Sequence, residues 1–576
     1  MKKAIVRRPL PQTDPLNSAD LPDILRRIFR ARGVTREEFI DHSLKRLQSV
    51  DQLHQVDLAA RYLADAVMEG QRILIVGDFD ADGATSTAVG ILGLRSMGAS
   101  HVDYLVPNRF DYGYGLSPEI VEVAKGMAPD ILVTVDNGIS SVEGVAAARQ
   151  AGMRVIVTDH HLPGADLPQA DAIVNPNAPG CVFPSKNLAG VGVIFYVLTA
   201  VRRELRARNW FAERRIPEPN LADLLDIVAL GTVADVVPLD HNNRILVQQG
   251  LMRIRAGRTR PGIQALIDVS NRRRQSLVAA DLGFAIAPRL NAAGRLEDMS
   301  IGIECLLTDN LQLARDLALQ LDDFNQSRKL IESEMQEQAM LALNSLHLRE
   351  GGDLPWGICL FDESWHQGVI GILASRIKER LHRPVITFAL SDEQLIKGSA
   401  RSIPGLHMRD ALDMVAKRYP GLLVKFGGHA MAAGMTLVRE RFTEFARAFD
   451  ETVRTLLNEE DLSASIVTDG PLQAEEFSLE TAQLIREAAP WGQHFPEPLF
   501  DGEFDLIEQR LVGSRHLKMV LREPSSGQYL DGIAFNVDTR QWPRETRRVR
   551  LAYKLDINLY RGKQSLQLLV DYLEAC

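Results

Sequence analysis

The sequence predicts an α/β protein with a doubly wound parallel sheet, a long connecting helix, a second α/β domain and a C-terminal OB-fold-like β-barrel. Apolar β-branched runs alternate with helical stretches between residues ~72 and ~240, and again between ~352 and ~455, as βαβ units require. A stretch without Gly or Pro separates the two and has helical periodicity. From residue 464 the chain has short alternating runs, which are typical of a small barrel.

The amino-acid composition and charge exclude several classes of protein. The 576 residues are 45% apolar and 24% charged, which excludes a mainly disordered or fibrous chain. No run approaches the ~18 apolar residues of a membrane span, and no apolar segment follows the basic start MKKAIVRRP, so a cytoplasmic location is expected. The net charge of −9 argues against nonspecific coating of nucleic acid but permits a local basic groove.

The first part of the chain divides into a lead-in and a first domain. Residues 1–50 are polar with short helical patterns, and Thr35 with Glu38 resembles a capping box that opens a helix. Residues 51–305 form the first α/β domain, whose expected strands are RILIVGD, HVDYLVP, DILVTVD, RVIVTDHH and DAIVNP. Helices are expected between these strands, near residues 85–97, 117–125 and 140–150.

Three further segments follow. Residues 306–350 are predicted to form one connecting helix, and residues 351–455 the second α/β domain. Residues 464–576 are predicted to form the barrel, with a hairpin turn at Arg561-Gly562.

Carboxylates and imidazoles follow several of the predicted strands. The first strand leads into Asp78, Asp80 and Asp82, the third into Asp136, and the fourth into Asp159, His160 and His161. Asp235 follows an apolar helical run. Because ligands of open α/β sheets bind outside the carboxyl ends of the strands, we expect these side chains to meet at one edge.

Such a set suits Mn²⁺ or Mg²⁺ better than structural zinc, since it offers oxygen and imidazole ligands without sulfur. Two divalent cations about 3.5–4 Å apart can share a carboxylate and act together on a phosphoester. The DFDADG run also resembles the start of an EF-hand, but its twelfth position is Val89 and not Glu. A lone Asp at a strand end is often only a helix N-cap, which leaves Asp82 or Asp159 uninformative when taken singly.

Further segments have residues suited to phosphate. An arginine guanidinium can donate two parallel hydrogen bonds to phosphate oxygens, and paired glycines allow the backbone to approach a ligand closely. The candidates lie in VPNR, PRLNAAGR, KGSARS and FGGHAMAAG, and are Arg109, Arg289, Asn291, Arg295, Ser399, Arg401 and His429. The sequence has no P-loop, no dinucleotide fingerprint and no GxSxG elbow.

Taken together, these motifs resemble the DHH phosphoesterase superfamily. Asp159-His160-His161 matches the DHH triplet, and FGGHAMAAG resembles the accessory DHHA1 domain. The order of VGDFDADGATSTA, VPNRF, TVDNGISS, VTDHH, LAGVGV, GTVADVVPL, PRLNAAGR, GILASRIKER and KGSARS is similar to that of the bacterial single-strand-specific 5′→3′ DNA exonucleases. The resemblance covers nearly the whole chain and is weakest over the first ~50 residues.

The resemblance implies roles for these residues. It implies two divalent cations, Mn²⁺ or Mg²⁺, held by Asp80, Asp82, Asp136, His160 and Asp235, with Asp136 bridging and Asp78 a ligand or close beside one. Asp159 would orient the histidines, and His161 would contact the scissile phosphate. Arg109 and the PRLNAAGR residues would hold the DNA backbone, Ser399 and Arg401 the 5′ end, and His429 would lie nearby.

The expected function is therefore a two-metal exonuclease that degrades single-stranded DNA 5′→3′ to 5′-mononucleotides in recombination and repair. The barrel would bind the incoming strand, with candidates His516, Lys518, Tyr553, Lys554, Tyr560, Arg561 and Lys563. A monomer without membrane attachment is expected, and the family implies a single-strand binding protein and a RecQ-type helicase as partners. Two alternatives stay open: a DHH phosphodiesterase of small substrates, and a non-enzymatic replication scaffold with this fold.

Overall fold

The computed structural model describes residues 3–14, 16, 20–107, 115–349, 354–513, 516–537, 542, 545–560 and 562–576, except the side chains of 342, 344–349 and 560. The predicted Arg109 and Arg561 lie outside the described residues, as does the side chain of Tyr560. By contact density the chain divides into two compact units. The larger unit comprises residues 7–322 and 467–576, and the smaller unit comprises 1–6 and 323–466.

The strands, in chain order, are β1 Ala4–Arg7, β2 Arg72–Val76, β3 His101–Leu105, β4 Ile131–Val135, β5 Arg154–Thr158, β6 Ala172–Val174, β7 Ile358–Phe361, β8 Val385–Leu390, β9 Leu395–Arg401, β10 Lys425–Gly428, β11 Ala432–Val438, β12 Ser465–Thr468, β13 Phe500–Val512, β14 His516–Arg522, β15 Tyr529–Ala534, β16 Arg548–Tyr560 and β17 Lys563–Ala575.

The helices, in chain order, are α1 Asp23–Ala31, α2 Val56–Glu69, α3 Ala81–Ser96, α4 Pro118–Lys125, α5 Val142–Gln150, α6 Gly190–Ala207, α7 Trp210–Arg214, α8 Leu225–Ala234, α9 His241–Arg255, α10 Pro261–Val269, α11 Ala279–Asp281, α12 Ala287–Leu296, α13 Ser300–Leu307, α14 Leu311–Arg349, α15 Ile370–Leu381, α16 Met408–Arg418, α17 Phe442–Leu456 and α18 Leu479–Ala488. A π-helical turn, Leu282–Ile286, separates α11 from α12.

The larger unit contains a five-stranded parallel sheet in the order β3-β2-β4-β5-β6. Strands β2, β4 and β5 are almost entirely buried, which matches their continuous apolar sequences. The strand order reverses between β2 and β4, and this reversal is where a doubly wound sheet opens a crevice for ligands. The prediction of a doubly wound parallel sheet is confirmed.

The C-terminal part of the larger unit is a closed barrel in the order β13-β14-β15-β17-β16. Strands β16 and β17 form a long hairpin whose last pair is Tyr560 with Lys563, so the predicted hairpin position is correct. Tyr553, one of the barrel residues expected to bind the incoming strand, is only 1% exposed. That expectation is wrong, because its ring packs in the barrel core against Phe477 and Phe504.

The smaller unit contains the second α/β domain, with the sheet order β10-β11-β9-β8-β7. Strands β7 and β8 are parallel, and the remaining pairs are antiparallel. The predicted connecting helix is α14, whose residues 311–322 belong to the larger unit and whose remainder belongs to the smaller unit. No helix among the described residues is long and apolar enough to cross a bilayer.

The N-terminal region differs from the expectation at two places. The expected capping box at Thr35 does not form a helix start, since only a single 3₁₀ turn, Glu37–Phe39, follows and no side chain caps it. Strand β1 pairs with β12, which lies more than 450 residues later in the chain. Sequence periodicity is local and gives no signal for such a pairing.

A buried ion pair joins the N-terminal helix to the segment that precedes the barrel. Arg32 donates to both carboxylate oxygens of Asp469, at 2.8 and 2.9 Å, and to the carbonyl oxygen of Pro496 at 2.8 Å. The side chains of Arg32 and Asp469 are 0% and 2% exposed. The guanidinium lies over the ring of Trp491, which stacks on Phe495. This cluster connects α1 to the 467–499 segment inside the larger unit.

Replacing Asp469 with Asn leaves the Arg32 guanidinium buried without its counter-charge. Removing one partner of a buried pair costs about 3–5 kcal/mol, so we expect a loss of that order in the unfolding free energy of the larger unit, measured by denaturant titration. Arg36→Ala is the control, since its partner Glu38 is exposed and such pairs contribute about 0–1 kcal/mol. Equal effects of the two variants would contradict this assignment.

Candidate metal centre

The loop between β2 and α3 provides three carboxylates. Asp80 is the N-cap of α3 and accepts a 3.0 Å hydrogen bond from the amide of Gly83, so it has the capping role common for Asp. Asp78 is 3% exposed and precedes this cap. Asp82 lies in the first turn of α3 and is 1% exposed. One strand-to-helix turn thus places three acidic side chains at the carboxyl edge of the sheet.

Asp82 faces the beginning of another helix. Its two carboxylate oxygens accept hydrogen bonds from the amides of Gly190 and Val191, at 2.6 and 2.9 Å. These amides belong to the first turn of α6, where the helix dipole favours negative charge. Burial and the charge of Asp80 nevertheless raise the pKa of Asp82 to about 7.

Asp136 follows β4 directly and has a backbone φ of +61°. This left-handed conformation is uncommon for a residue with a side chain, and it is found at turns and functional sites. A Cβ atom on Gly190 would lie 2.6 Å from the Cβ of Asp136, so only glycine permits this approach. Sequence reasoning missed Gly190, although it lies in the LAGVGV segment that carries part of the family resemblance.

His160 lies among the carboxylates. Its Nε2 atom is 3.1 Å from Asp136, 3.4 Å from Asp235 and 3.9 Å from Asp82. Burial and the positive charge of His161 lower the pKa of His160 to about 4, so the ring is neutral at physiological pH. A neutral imidazole directed at carboxylates is the form that binds a metal.

Asp159 has a different position from the other carboxylates. It accepts hydrogen bonds from the amides of Ile139, His160 and His161 and from Nδ1 of His161, the last at 2.7 Å. Although burial alone would raise it, the pKa of Asp159 is lowered by the hydrogen bond and charge of His161. Burial alone would lower the pKa of His161. The hydrogen bond and charge of Asp159, together with the charges of Asp78 and Asp82, raise it instead to about 9.

The cluster forms three groups of potential ligands. In each group the ligand atoms lie within 4.8 Å of one another: Asp82, His160 and Asp235; Asp78, Asp80 and Asp136; and Asp136, His160 and His161. Asp136 and His160 each belong to two groups. Burial and mutual repulsion raise the pKa of Asp136 and of Asp235 well above the usual range. Divalent cations would relieve this repulsion, and the oxygen-rich donor set fits Mn²⁺ or Mg²⁺.

Asparagines that sequence reasoning missed hold the loops of the centre. Asn137 donates to the carbonyls of Val76 and Val135, at 3.1 and 2.9 Å, and so links the ends of β2 and β4. Asn175 and Asn177 donate to the carbonyls of His161 and His160, at 2.9 and 2.6 Å. A polar residue just beyond a strand end was the only signal available, and it is shared by many ordinary loops.

The predicted phosphate-binding residues of PRLNAAGR lie on α12. Asn291 accepts a 2.9 Å hydrogen bond from the amide of Ala81, so it supports the start of α3. Arg289 is 9% exposed and pairs with Asp322 at 2.7 Å. Arg295 is partly exposed and has a partner within the chain. A Cβ on Gly294 would lie 1.8 Å from the carbonyl oxygen of Phe79, which brings α12 directly against the acidic loop.

The other predicted phosphate-binding residues belong to the smaller unit. Ser399 and Arg401 lie on β9, and an Arg401 Nη1 hydrogen donates to the Ser399 hydroxyl at 3.2 Å. A Cβ on Gly371, in the first turn of α15, would lie 2.9 Å from the Ser399 hydroxyl and 3.0 Å from Nη2 of Arg401. His429 is exposed in the turn between β10 and β11, and its amide donates to the carbonyl of Ala432. Ala432 is the register partner of Arg401.

The metal-free centre is expected to be less stable as pH rises. Because the pKa values of Asp82, Asp136 and Asp235 are higher in the folded protein than in an unfolded chain, folding binds protons. Their destabilising effect is absent below the unfolded pKa of about 4 and grows as pH rises toward the folded values. In chelator, Asp136→Asn should therefore raise the melting temperature at pH 7.5, where each kcal/mol corresponds to roughly 2–4 °C.

Mn²⁺ should raise the melting temperature of the unsubstituted protein more at pH 7.5 than at pH 5.5, and should do so only weakly for Asp136→Asn. Asp166→Asn is the control, since it changes an exposed loop carboxylate. It should alter neither the melting temperature in chelator nor the increase that Mn²⁺ causes. If Asp136→Asn melted below the unsubstituted protein in chelator, charge repulsion would not be the dominant property of this cluster.

The chain matches three domain families in succession. Residues 72–232 match the DHH family, N-terminal domain; residues 355–455 match the DHHA1 domain; and residues 468–572 match the RecJ OB domain. These matches place the parallel sheet, the second α/β domain and the barrel in three named families.

Relatives of known name extend the match over the full chain. The single-stranded-DNA-specific exonuclease RecJ of Salmonella typhimurium is 57% identical over 571 residues, covering 99% of both chains. That of Escherichia coli is 57% identical over 98% of both chains. The crystal structure of Thermus thermophilus RecJ in complex with Mn²⁺ superposes with a TM-score of 0.79 at 29% identity, covering 100% of this chain and 79% of that one. The crystal structure of Thermus thermophilus RecJ in complex with Mg²⁺ superposes with a TM-score of 0.75.

Identity at this level, over essentially the whole length, is accompanied by the same three domain families and by the geometry of a cation site at the edge of the sheet. The chain belongs to the RecJ family.

Proposed function

We propose that this protein is a divalent-cation-dependent exonuclease that degrades single-stranded DNA 5′→3′ to 5′-mononucleotides. The observation that carries the proposal is the buried carboxylate and imidazole cluster, in which Asp136 belongs to two ligand groups, within a chain 57% identical to relatives named as single-stranded-DNA-specific exonucleases. Mn²⁺ or Mg²⁺, the ions named in the Thermus thermophilus complexes, are the proposed cofactors.

The proposed ligands of two cations are Asp78, Asp80, Asp82, Asp136, His160 and Asp235. When bound, the cations supply Lewis acidity toward the phosphodiester and its leaving oxygen. Asp136, held in its left-handed conformation against Gly190, is the proposed bridging ligand. Asp82 is fixed by the two amides of α6, so its position does not depend on a bound ion.

His161 is the proposed contact to the scissile phosphate. Asp159 accepts the Nδ1 hydrogen of His161, which leaves Nε2 for the substrate. With its pKa raised to about 9, the ring carries a positive charge that stabilises negative charge on the phosphate oxygens. Asp159 thus positions His161 and does not itself bind a cation.

Ser399 and Arg401 are the proposed site for the 5′ phosphate. Arg401 is half-buried, and its guanidinium donates hydrogen bonds to two uncharged groups, the Ser399 hydroxyl and the Ala400 carbonyl. Burial lowers its pKa, which means that the charge is held without full compensation. A guanidinium, a hydroxyl and the first turn of a helix are together suited to a phosphate group. His429 lies in the adjoining turn and is proposed to contribute there.

The barrel is the proposed holder of the incoming strand. His516 packs edge-on against Phe535, which is 53% exposed and therefore available for stacking. Lys554 pairs with Glu497 at 3.0 Å, so its charge is partly neutralised.

The family also leads us to expect a role in recombination and repair and a cytoplasmic monomer. The expected partners are a single-strand binding protein and a RecQ-type helicase.

Product analysis tests the activity. A long internally labelled single strand should release 5′-mononucleotides from its 5′ end when Mn²⁺ is present, while the duplex and the chelated reaction should stay intact. Asp136→Ala should slow release at least ~10³-fold, since cations contribute several kcal/mol and each 1.36 kcal/mol is tenfold. Cleavage of dinucleotides with inert long DNA would support the small-substrate alternative, and metal binding without hydrolysis would support a scaffold.

The 5′-phosphate site has its own test. Arg401→Ala should reduce kcat/KM on 5′-phosphorylated strands by about tenfold or more, because hydrogen bonds to charged groups contribute about 1.5–3 kcal/mol. Strands with a 5′ hydroxyl should be cleaved at a nearly unchanged rate. Arg418→Ala, an exposed arginine of the same unit, should alter neither rate. An equal loss on both kinds of end would reject this assignment.

A further inference from the structure

Exposed apolar side chains lie next to the residues of the metal centre. Phe284 is 87% exposed, the highest value among the large apolar residues that the structure describes as exposed. Val236, directly after Asp235, is 63% exposed, and Leu162, directly after His161, is 61% exposed. Single exposed apolar residues are ordinary on protein surfaces. Two of these three directly follow residues of one centre, and this placement needs a physical reason.

The backbone at two of these positions is unusual. Val236 has a φ of +62°, a conformation that is a genuine outlier for a β-branched residue. Phe284 lies in the π-helical turn, a rare geometry that occurs frequently at functional sites. Strained or rare backbone persists where the surrounding structure fixes it, and it is concentrated at sites that act on ligands.

The π-helical turn is in direct contact with the helix that delivers Asp235. A Cβ on Gly283 would lie 3.2 Å from Cγ1 of Val233 and 3.9 Å from its carbonyl oxygen. Val233 is two residues before Asp235, at the end of α8. On its other side, the turn continues into α12, which lies against the acidic loop through Gly294. The turn that carries Phe284 thus packs against the helix that delivers Asp235 and leads into the helix that contacts the acidic loop, while the ring of Phe284 is open to solvent.

The chemistry of the neighbours limits what can cover Phe284. The turn that carries Phe284 packs on α8, whose C-terminal end delivers Asp235, a cation ligand in the proposed function. The single strand is the partner that the proposed function brings to this end of α8. Bases of a single strand expose their π faces, and stacking on an aromatic ring does not depend on the base.

We propose that Phe284 stacks on a nucleobase of the bound single strand beside the scissile phosphate, with Val236 making apolar contact to the same nucleotide. This contact would position the backbone at the cations without regard to sequence. The inference rests on the proposed function and adds a positioning residue to it, outside the acidic and basic motifs.

Single-turnover cleavage with Mn²⁺ tests the inference. Phe284→Ala should slow cleavage of a 5′-phosphorylated oligonucleotide about tenfold, within the range expected for one stacked base. Phe284→Trp should keep the rate. Leu319→Ala, which removes an exposed apolar side chain from α14, should have no effect. The metal-induced change in melting temperature should be the same in all these proteins.

A series of substrates with one abasic site, at each of the first four positions, separates stacking from a structural role. At one of these positions, the abasic site should slow the unsubstituted enzyme by the same factor as the Phe284→Ala substitution slows cleavage of the intact strand. The same abasic site should cause no further slowing in the Phe284→Ala enzyme. A full rate for Phe284→Ala, or equal abasic losses in both proteins at every position, would overturn the inference. Failure of the unsubstituted protein to cleave any single strand would instead overturn the proposed function.

If Phe284→Ala lowers the melting temperature, Phe284→Leu and Phe284→Trp decide between the two roles. Both keep a large apolar side chain at this position, but only Trp offers an aromatic face. Slow cleavage by the Leu variant with normal cleavage by the Trp variant would support stacking, and normal cleavage by both would overturn it.

Discussion

The organisation of the larger unit depends on electrostatic repulsion among carboxylates that are buried at one edge of a sheet. Burial and the charge of Asp80 raise the pKa of Asp82 to about 7, and burial and the charge of Asp82 raise the pKa values of Asp136 and Asp235 well above their usual range. Nothing in a stable apolar core would favour this arrangement. The surrounding elements compensate through the amides of α6 on Asp82 and through a neutral His160. The compensation is incomplete, and bound divalent cations would relieve the repulsion that remains.

The elements around the centre are positioned by close backbone contacts at glycines and by hydrogen bonds from asparagines. Gly190 admits the side chain of Asp136, and Gly294 brings α12 onto the acidic loop. Asn137, Asn175 and Asn177 satisfy carbonyls at the ends of the loops. Carboxylates and imidazoles placed by helix starts and asparagine bridges have little freedom, which is the condition that cation binding at fixed positions requires.

The sequence predicted the parallel sheet and the acidic cluster because both follow from local rules. Continuous apolar runs alternating with helices favour a covered parallel sheet, and the carboxyl ends of its strands then lie at one edge. Other features depend on partners far away in the chain. The burial of Tyr553, the pairing of Arg289 with Asp322 and the pairing of β1 with β12 cannot be deduced from periodicity. Single residues such as Gly190 carry no local signal, because their importance comes from the neighbour that they admit.

The interrupted larger unit has a consequence for protein synthesis. Arg32 and Phe29 leave the ribosome early, but their partners Asp469, Trp491 and Phe495 appear only after more than 400 further residues, which include most of the smaller unit. The inserted 323–466 segment can thus become compact while the unit that surrounds it is still incomplete. During that interval the apolar face of α1 lacks its partners from the 467–499 segment and is exposed to unwanted association. Ribosome pausing and chaperone supply would therefore affect the yield of this enzyme more than they would affect a chain whose domains follow one another without interruption.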